Sequence, residues 1–138
     1  MVEKTLLMIK PDAVGAGHTG SILGRLEQEG FKIVALKKTR LSDEKARLFY
    51  AVHQERPFYD DLVTFMTSGP VVPVLLFKED AISSLRELVG NTDTALADDG
   101  TIRQLYGTDK QMNAVHASDA TQTAATEAAF FFSELERL

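Results

Sequence analysis

The 138-residue chain contains no cysteine. That excludes a disulfide framework, a cysteine-based metal site and thiol chemistry together, and it is compatible with a reducing compartment. A basic excess is also missing, since 15 Lys and Arg face 20 Asp and Glu for a formal charge of −5. Nucleic acid and anionic membranes demand a concentrated basic surface. No specific nucleic-acid binding and no membrane attachment are therefore expected, although the balance leaves room for a local basic pocket. Long apolar runs are absent as well. The opening "MVEKTLLMIKPDAV" has Glu3 early and a short apolar run broken by Lys10 and Pro11, so neither a signal peptide nor a membrane span is expected and the protein reads as cytoplasmic. Neither a GxGxxG fingerprint nor a GxxxxGK[ST] loop occurs, and "GAGHTG" does not substitute for them. There is no internal repeat or low-complexity tract.

What is present fits one domain over residues 1–138, long enough to bury a core without staples. "KTLLMI" (4–9) suits a short buried strand stopped by "KPD", which puts Lys10 at a strand end. Ile22, Leu23 and Leu26 have helical spacing with Gly30 as the C-terminal cap. A second strand is expected within 31–41. Ser42, followed by Asp43 and Glu44, opens a helix carrying Ala46, Phe49 and Tyr50 and ended by Arg56 and Pro57. Phe58, Leu62, Phe65 and Met66 mark another helix. "VVPVLLF" (71–77) reads as a strand that Pro73 places near an edge. Ala81, Ile82, Leu85, Leu88 and Val89 form the next helix, closed by Gly90, and 90–101 is a loop. "MNAVH" (112–116) is the last strand, and a closing helix places Ala124, Ala128, Phe131 and Leu135 on one stripe. This order predicts an α+β sandwich of the ferredoxin-like βαββαβ type, a four-stranded antiparallel sheet with helices on one face.

Three cations stand near element ends: Lys10, Arg86 and Arg103. Guanidinium forks and a lysine point charge are what a polyphosphate needs. Taken singly each reads as well as a solvated surface charge, so their meaning depends on convergence. His116 is ambiguous in the same way: a histidine at a strand end is structural more often than nucleophilic. A carboxylate on its second nitrogen would fix the tautomer and stabilise the cation that develops. Glu127, one turn before Phe131 on the closing helix, faces the interior edge and needs a partner. Its alternative partners are a Ser, a Thr or the backbone. Strand alternation puts Asn113 and His116 on opposite faces, so both serve one site only if the strand turns or ends before His116.

The segments "IKPDAV", "ERPF", "GTIR" and "NAVHASDA" occur in the order and at the spacing of the nucleoside diphosphate kinases, and the last resembles that family's NxxHGSDS signature. The likeness runs from about Lys4 to Leu135 and is closest to short bacterial-type members. The resemblance implies ping-pong transfer of the γ-phosphoryl group from a nucleoside triphosphate, typically ATP, to a diphosphate such as GDP through a phosphohistidine. On that likeness His116 is the phosphorylated residue, Glu127 bonds its other nitrogen, and Ser118 neighbours the pair. Lys10, Tyr50, Arg86, Thr92, Arg103 and Asn113 match phosphate and ribose ligands, and Phe58 matches the aromatic that stacks on the base. Mg²⁺ is implied, held mainly by the nucleotide phosphates rather than by side chains, and so is a homo-oligomer.

Three features depart from the family pattern. Ala117 replaces the usual Gly after the histidine, which raises the question of a special backbone angle there. Ala120 replaces the second Ser of the signature. Thr94 and Asp99 stand where the family commonly has prolines, in a loop that contributes to subunit contacts. Two other functions compete: a non-catalytic nucleotide-binding regulatory module with the same fold, and a phosphohistidine carrier serving a protein partner. The first predicts an altered His116 or Glu127, and the second has no use for Phe58 or three cations.

Overall fold

The structure, a computed structural model, describes residues 2–138. Its strands are β1 (Val2–Ile9), β2 (Lys32–Leu36), β3 (Val72–Glu79) and β4 (Val115–Ala117). The helices are α1 (Pro11–Gly15), α2 (Thr19–Gln28), α3 (Asp43–Phe49), α4 (Tyr59–Met66), α5 (Ala81–Val89), α6 (Ile102–Tyr106) and α7 (Thr121–Phe131). The sheet runs β2-β3-β1-β4 with every pairing antiparallel, which is the ferredoxin-like arrangement.

Leu6, Leu7, Met8 and Ile9 of β1 are all fully buried. A strand apolar on both faces needs cover on both, so helices lie on two faces of the sheet, not one. Leu7 and Ile9 join Val74 and Leu76 beneath Ile22 and Leu26 of α2 and Leu85 of α5. On the opposite face Leu6, Met8 and Leu75 pack with Ala46 of α3, Met66 of α4 and Phe131 of α7.

Pro73 sits in β3, which lies between β2 and β1, so the expected edge placement is not observed. The reason is local. Pro73 is opposite Met8, and its carbonyl accepts from the Lys37 amide, one residue beyond the end of β2. The pairing continues past it to Thr39 and Val71, which exchange both backbone bonds, so the proline costs one donor opposite Lys37 while its carbonyl and the flanking bonds keep the strands together.

The last strand begins only at Val115 instead of 112, and three other boundaries also differ from expectation. The helix opened by Ser42, whose hydroxyl accepts from the Lys45 amide, stops at Phe49 rather than near Arg56. The chain tightens there into a 3-10 turn over Ala51–His53, leaving Tyr50 buried at the junction. The closing helix ends at Phe131, where the Phe132 backbone becomes extended, and Leu135 is 97 % exposed instead of on the apolar stripe. Finally, "KPD" does not simply stop β1. Pro11 at the first position of α1, with Asp12 in its first turn, starts a helix at once.

Candidate active site

His116 is central to the short β4, opposite Met8 of β1, and so projects toward the side covered by α3 and α7. Phe49 and Tyr50 set edge-on rings against the imidazole at 5.2 and 6.0 Å between centroids. From α7, Oε1 of Glu127 lies 2.9 Å from His116 Nε2. The same oxygen accepts from the Ser118 hydroxyl. Nδ1 of His116 has no hydrogen-bond partner among the described residues. In the neutral ring, a carboxylate at Nε2 favours the tautomer protonated there and puts the lone pair on Nδ1.

Lys10 follows β1 directly, and its Nζ donates to Asn113 Oδ1 at 2.9 Å. Burial, with the Arg103 charge second, lowers its pKa to about 8. The Asn113 amide nitrogen donates in turn to the carbonyls of Thr92 and Lys110. Arg103 is buried on α6 and donates to the carbonyls of Gly90 and Val115. Its pKa is lowered to about 10, mainly by burial and then by Arg86. Arg86, exposed on α5, donates to the Ala117 carbonyl at 3.2 Å. Lys10, Arg103 and Arg86 thus gather along one stretch of chain despite being far apart in sequence, through bonds to the carbonyls of Ala114, Val115 and Ala117 respectively. The Tyr50 phenol is pushed well up by burial and, secondarily, by the Glu127 charge.

Five buried side-chain polar atoms among the described residues have no partner, and three belong to this region: Asp12 Oδ1, Tyr50 Oη and Arg103 Nε. Buried polar atoms are normally satisfied, and Tyr50 Oη and Arg103 Nε are both donors left without an acceptor beside the histidine and the cations.

Asn113 and His116 reach this site together because of a break at Ala114. Its φ is +74°, and the Val115 amide donates to the Asn113 carbonyl at 2.9 Å across it, forming a γ-turn. A left-handed alanine costs on the order of 1–3 kcal/mol. Asp12 and Lys10 hold it there: the Ala114 amide donates to Asp12 Oδ2 and its carbonyl accepts from the Lys10 amide. The sequence required the strand to turn or to end before His116. It did not single out Asp12, Ala114 or Phe49.

Ala117 lies in β4 and is not among the residues with positive φ, so the alanine after the histidine adopts extended backbone without strain. Ala120 caps α7 from an extended backbone but has no oxygen to offer the first turn. Thr123 Oγ1 accepts from the Ala120 amide, which supplies half of a capping arrangement.

Two matched residues stand outside the core of the cluster. Thr92 enters it through its carbonyl, and Phe58, at the start of α4 and 46 % exposed, touches His53 rather than His116. Phe58 shares a helical face with Asp61 and Phe65. Those two residues line an open cleft of about 670 Å³ whose other wall is Asp109, Lys110 and Gln111. That wall adjoins the cations directly, because Lys10 Nζ also contacts the Gln111 carbonyl.

The model of the family described as nucleoside diphosphate kinase matches residues 3–137. The chain belongs to the nucleoside diphosphate kinase family. It is 53 % identical over 135 residues to the nucleoside diphosphate kinase of Chlorobium limicola, covering 98 % of this chain and 96 % of that protein. With the Desulfovibrio desulfuricans kinase it shares 52 % identity over 136 residues, covering 99 % and 98 %. Among solved structures, the Aquifex aeolicus nucleoside diphosphate kinase superposes with a TM-score of 0.98 at 51 % identity over 100 % of both chains. The halophilic kinase of Halobacterium salinarum, solved in complex with CDP, gives 0.96 at 41 % identity over 100 % of this chain and 92 % of its own.

Proposed function

We propose that this kinase carries the γ-phosphoryl group of a nucleoside triphosphate to a nucleoside diphosphate on Nδ1 of His116. The observation that carries the reading is the placement of Glu127 on Nε2 beside a cluster of buried cations. The Nδ1 lone pair attacks the γ-phosphorus. The bond to the bridging oxygen breaks, and the diphosphate leaves with that electron pair. The ring becomes a phosphoimidazolium whose Nε2 proton is held by Glu127, so no proton need be lost. The second half-reaction reverses these steps with a different diphosphate as acceptor.

Phosphoryl transfer is largely positioning and charge stabilisation. Lys10, Arg86 and Arg103 supply the charge in this reading, while the unpartnered Arg103 Nε and Tyr50 Oη are donors for phosphate oxygens. Ser118 holds Glu127 in place. Phe58 offers a face to the base, and stacking on it tolerates purine and pyrimidine alike. Asn113 and Thr92 border the sugar and phosphates.

Mg²⁺ fits as a passenger of the nucleotide. The donor set is cationic, and no group of three His, Asp or Glu gathers among the described residues, so the phosphate oxygens would carry the ion. Bound there, it neutralises charge on the transferring group. No helix among the described residues is long and apolar enough to cross a membrane. We infer a cytoplasmic homo-oligomer, as the family likeness implies.

Initial rates at varied ATP and GDP test this reading. Parallel reciprocal plots and complete loss of exchange in His116→Ala are expected. Intersecting plots, or an active His116→Ala, would overturn it.

A further inference from the structure

We infer that Asp12 is a positioning residue: its carboxylate holds the left-handed turn at Ala114 that brings Asn113 and His116 into one site. This inference rests on the reading of His116 as the phosphorylated residue.

In a regular strand, Asn113 would share a face with Val115 and Ala117, whose side chains pack beneath α2 and α5. His116, opposite Met8, belongs to the other face. Lys10, one residue past Ile9, alternates onto the side of Met8 and His116, and it is Lys10 that the Asn113 side chain meets. Asn113 has therefore changed faces. The change takes place at Ala114, the single non-glycine residue besides Asp80 with positive φ among the described residues.

Alanine does not choose that backbone unaided, and Ala114 is fully buried, so water does not satisfy its amide. Asp12 Oδ2 accepts from that amide at 3.1 Å, and the Lys10 amide donates to the Ala114 carbonyl at 2.9 Å. Both polar groups of the turn are thus held by two residues at the start of α1, Lys10 and Asp12, on either side of Pro11. Because Pro11 opens the helix, Asp12 is placed in its first turn with its side chain against the turn rather than in solvent. Burial raises the Asp12 pKa and the Ala114 amide opposes that rise, in keeping with a carboxylate retained for the bond it accepts.

Two roles for Asp12 are separable. A charge partner for Lys10 needs the negative charge. An acceptor for the Ala114 amide needs an oxygen at that place, which asparagine also provides. The inferred role predicts that Asp12→Asn keeps near-native phosphohistidine formation, and that Asp12→Ala slows the single-turnover step about a hundredfold, the scale expected when a reacting group is displaced by about an ångström. Nucleotide affinity should change far less than the rate. Ala114→Gly in the Asp12→Ala background should restore most of the lost rate, since glycine adopts φ near +74° without help. Hydrogen exchange at the Ala114 amide supplies a readout independent of catalysis: protected in the wild type and Asp12→Asn, unprotected in Asp12→Ala.

Equal losses in Asp12→Asn and Asp12→Ala would assign the charge, not the acceptor, and overturn the inference. So would an unimpaired Asp12→Ala, or a double variant with no recovery. If Asp12→Ala does not fold, the double variant decides: folded and active supports the role, and unfolded overturns it. Failure of the wild type to form phosphohistidine would instead refute the underlying reading, and the exchange data would still show whether Asp12 holds the turn.

Discussion

His116 and Ser118 converge on a single oxygen of Glu127, from β4 and from the residue immediately beyond it. The carboxylate is consequently fixed from two directions while its other oxygen is left out of both bonds. A glutamate held in this way orients the ring before any charge develops and then meets the cation that forms.

Glu127→Gln keeps the shape and removes the charge. Hydrogen bonds to charged groups contribute about 1.5–3 kcal/mol, so phosphorylation should slow by about tenfold to a hundredfold while His116 still becomes labelled. Rapid-quench measurement of phosphoenzyme formation checks this. An unchanged rate would remove Glu127 from the mechanism.

The depressed Lys10 pKa gives kcat/KM a basic limb. Free enzyme loses the Lys10 charge as pH rises through about 8, and kcat/KM reports free-enzyme ionisations. Nucleotide capture should fall above that pH, and Lys10→Arg should move the fall to higher pH. Stability moves the opposite way. Between about 8 and 10.5 the unfolded chain binds more protons at this lysine than the folded one, so its contribution to stability rises with pH over that window. Denaturant unfolding across the window should show the rise, and Lys10→Gln should reduce it.

The cap of α7 lacks an acceptor at Ala120, whose extended backbone already suits a capping residue. Ala120→Ser should stabilise the protein by about 1 kcal/mol. Thermal unfolding would register this as a rise of several degrees with kinetics unaltered. No rise would mean that the Thr123 bond to the Ala120 amide already suffices.

Ala117→Gly returns the family residue without relieving anything, because Ala117 is in extended strand and buried. A loss of roughly 0.5–1 kcal/mol is expected from the added backbone freedom, with catalytic rate retained. A large gain in rate would show that the alanine does constrain His116.

Much of the fold was written in apolar periodicity. Ser42, Gly30 and Gly90 bounded their helices because caps act through neighbouring residues. The closing helix was overextended because Leu135 continues a spacing, while the chain turns extended at Phe132. Pro73 misled in the other direction: its carbonyl still accepts from Lys37 and the Thr39–Val71 bonds hold the strands beyond it, a tertiary fact. At the site, four motifs pointed to the groups proposed to react, and the stripe on α7 turned Glu127 toward His116, as observed. Asp12 was visible in "IKPD" only as part of a stop signal. Its partner is 102 positions away, and no local pattern announces that an alanine will be left-handed. Phe49 was legible as a core aromatic, but its edge contact with His116 depends on how α3 meets β4.

The most direct test is to incubate the purified protein with γ-labelled ATP and Mg²⁺, locate the phosphate, and chase with unlabelled GDP. Acid-labile, base-stable label on Nδ1 of His116 that leaves as GTP is the predicted result. Label on Nε2, label on another residue, or nucleotide binding without label would contradict the assignment of His116 as the covalent carrier.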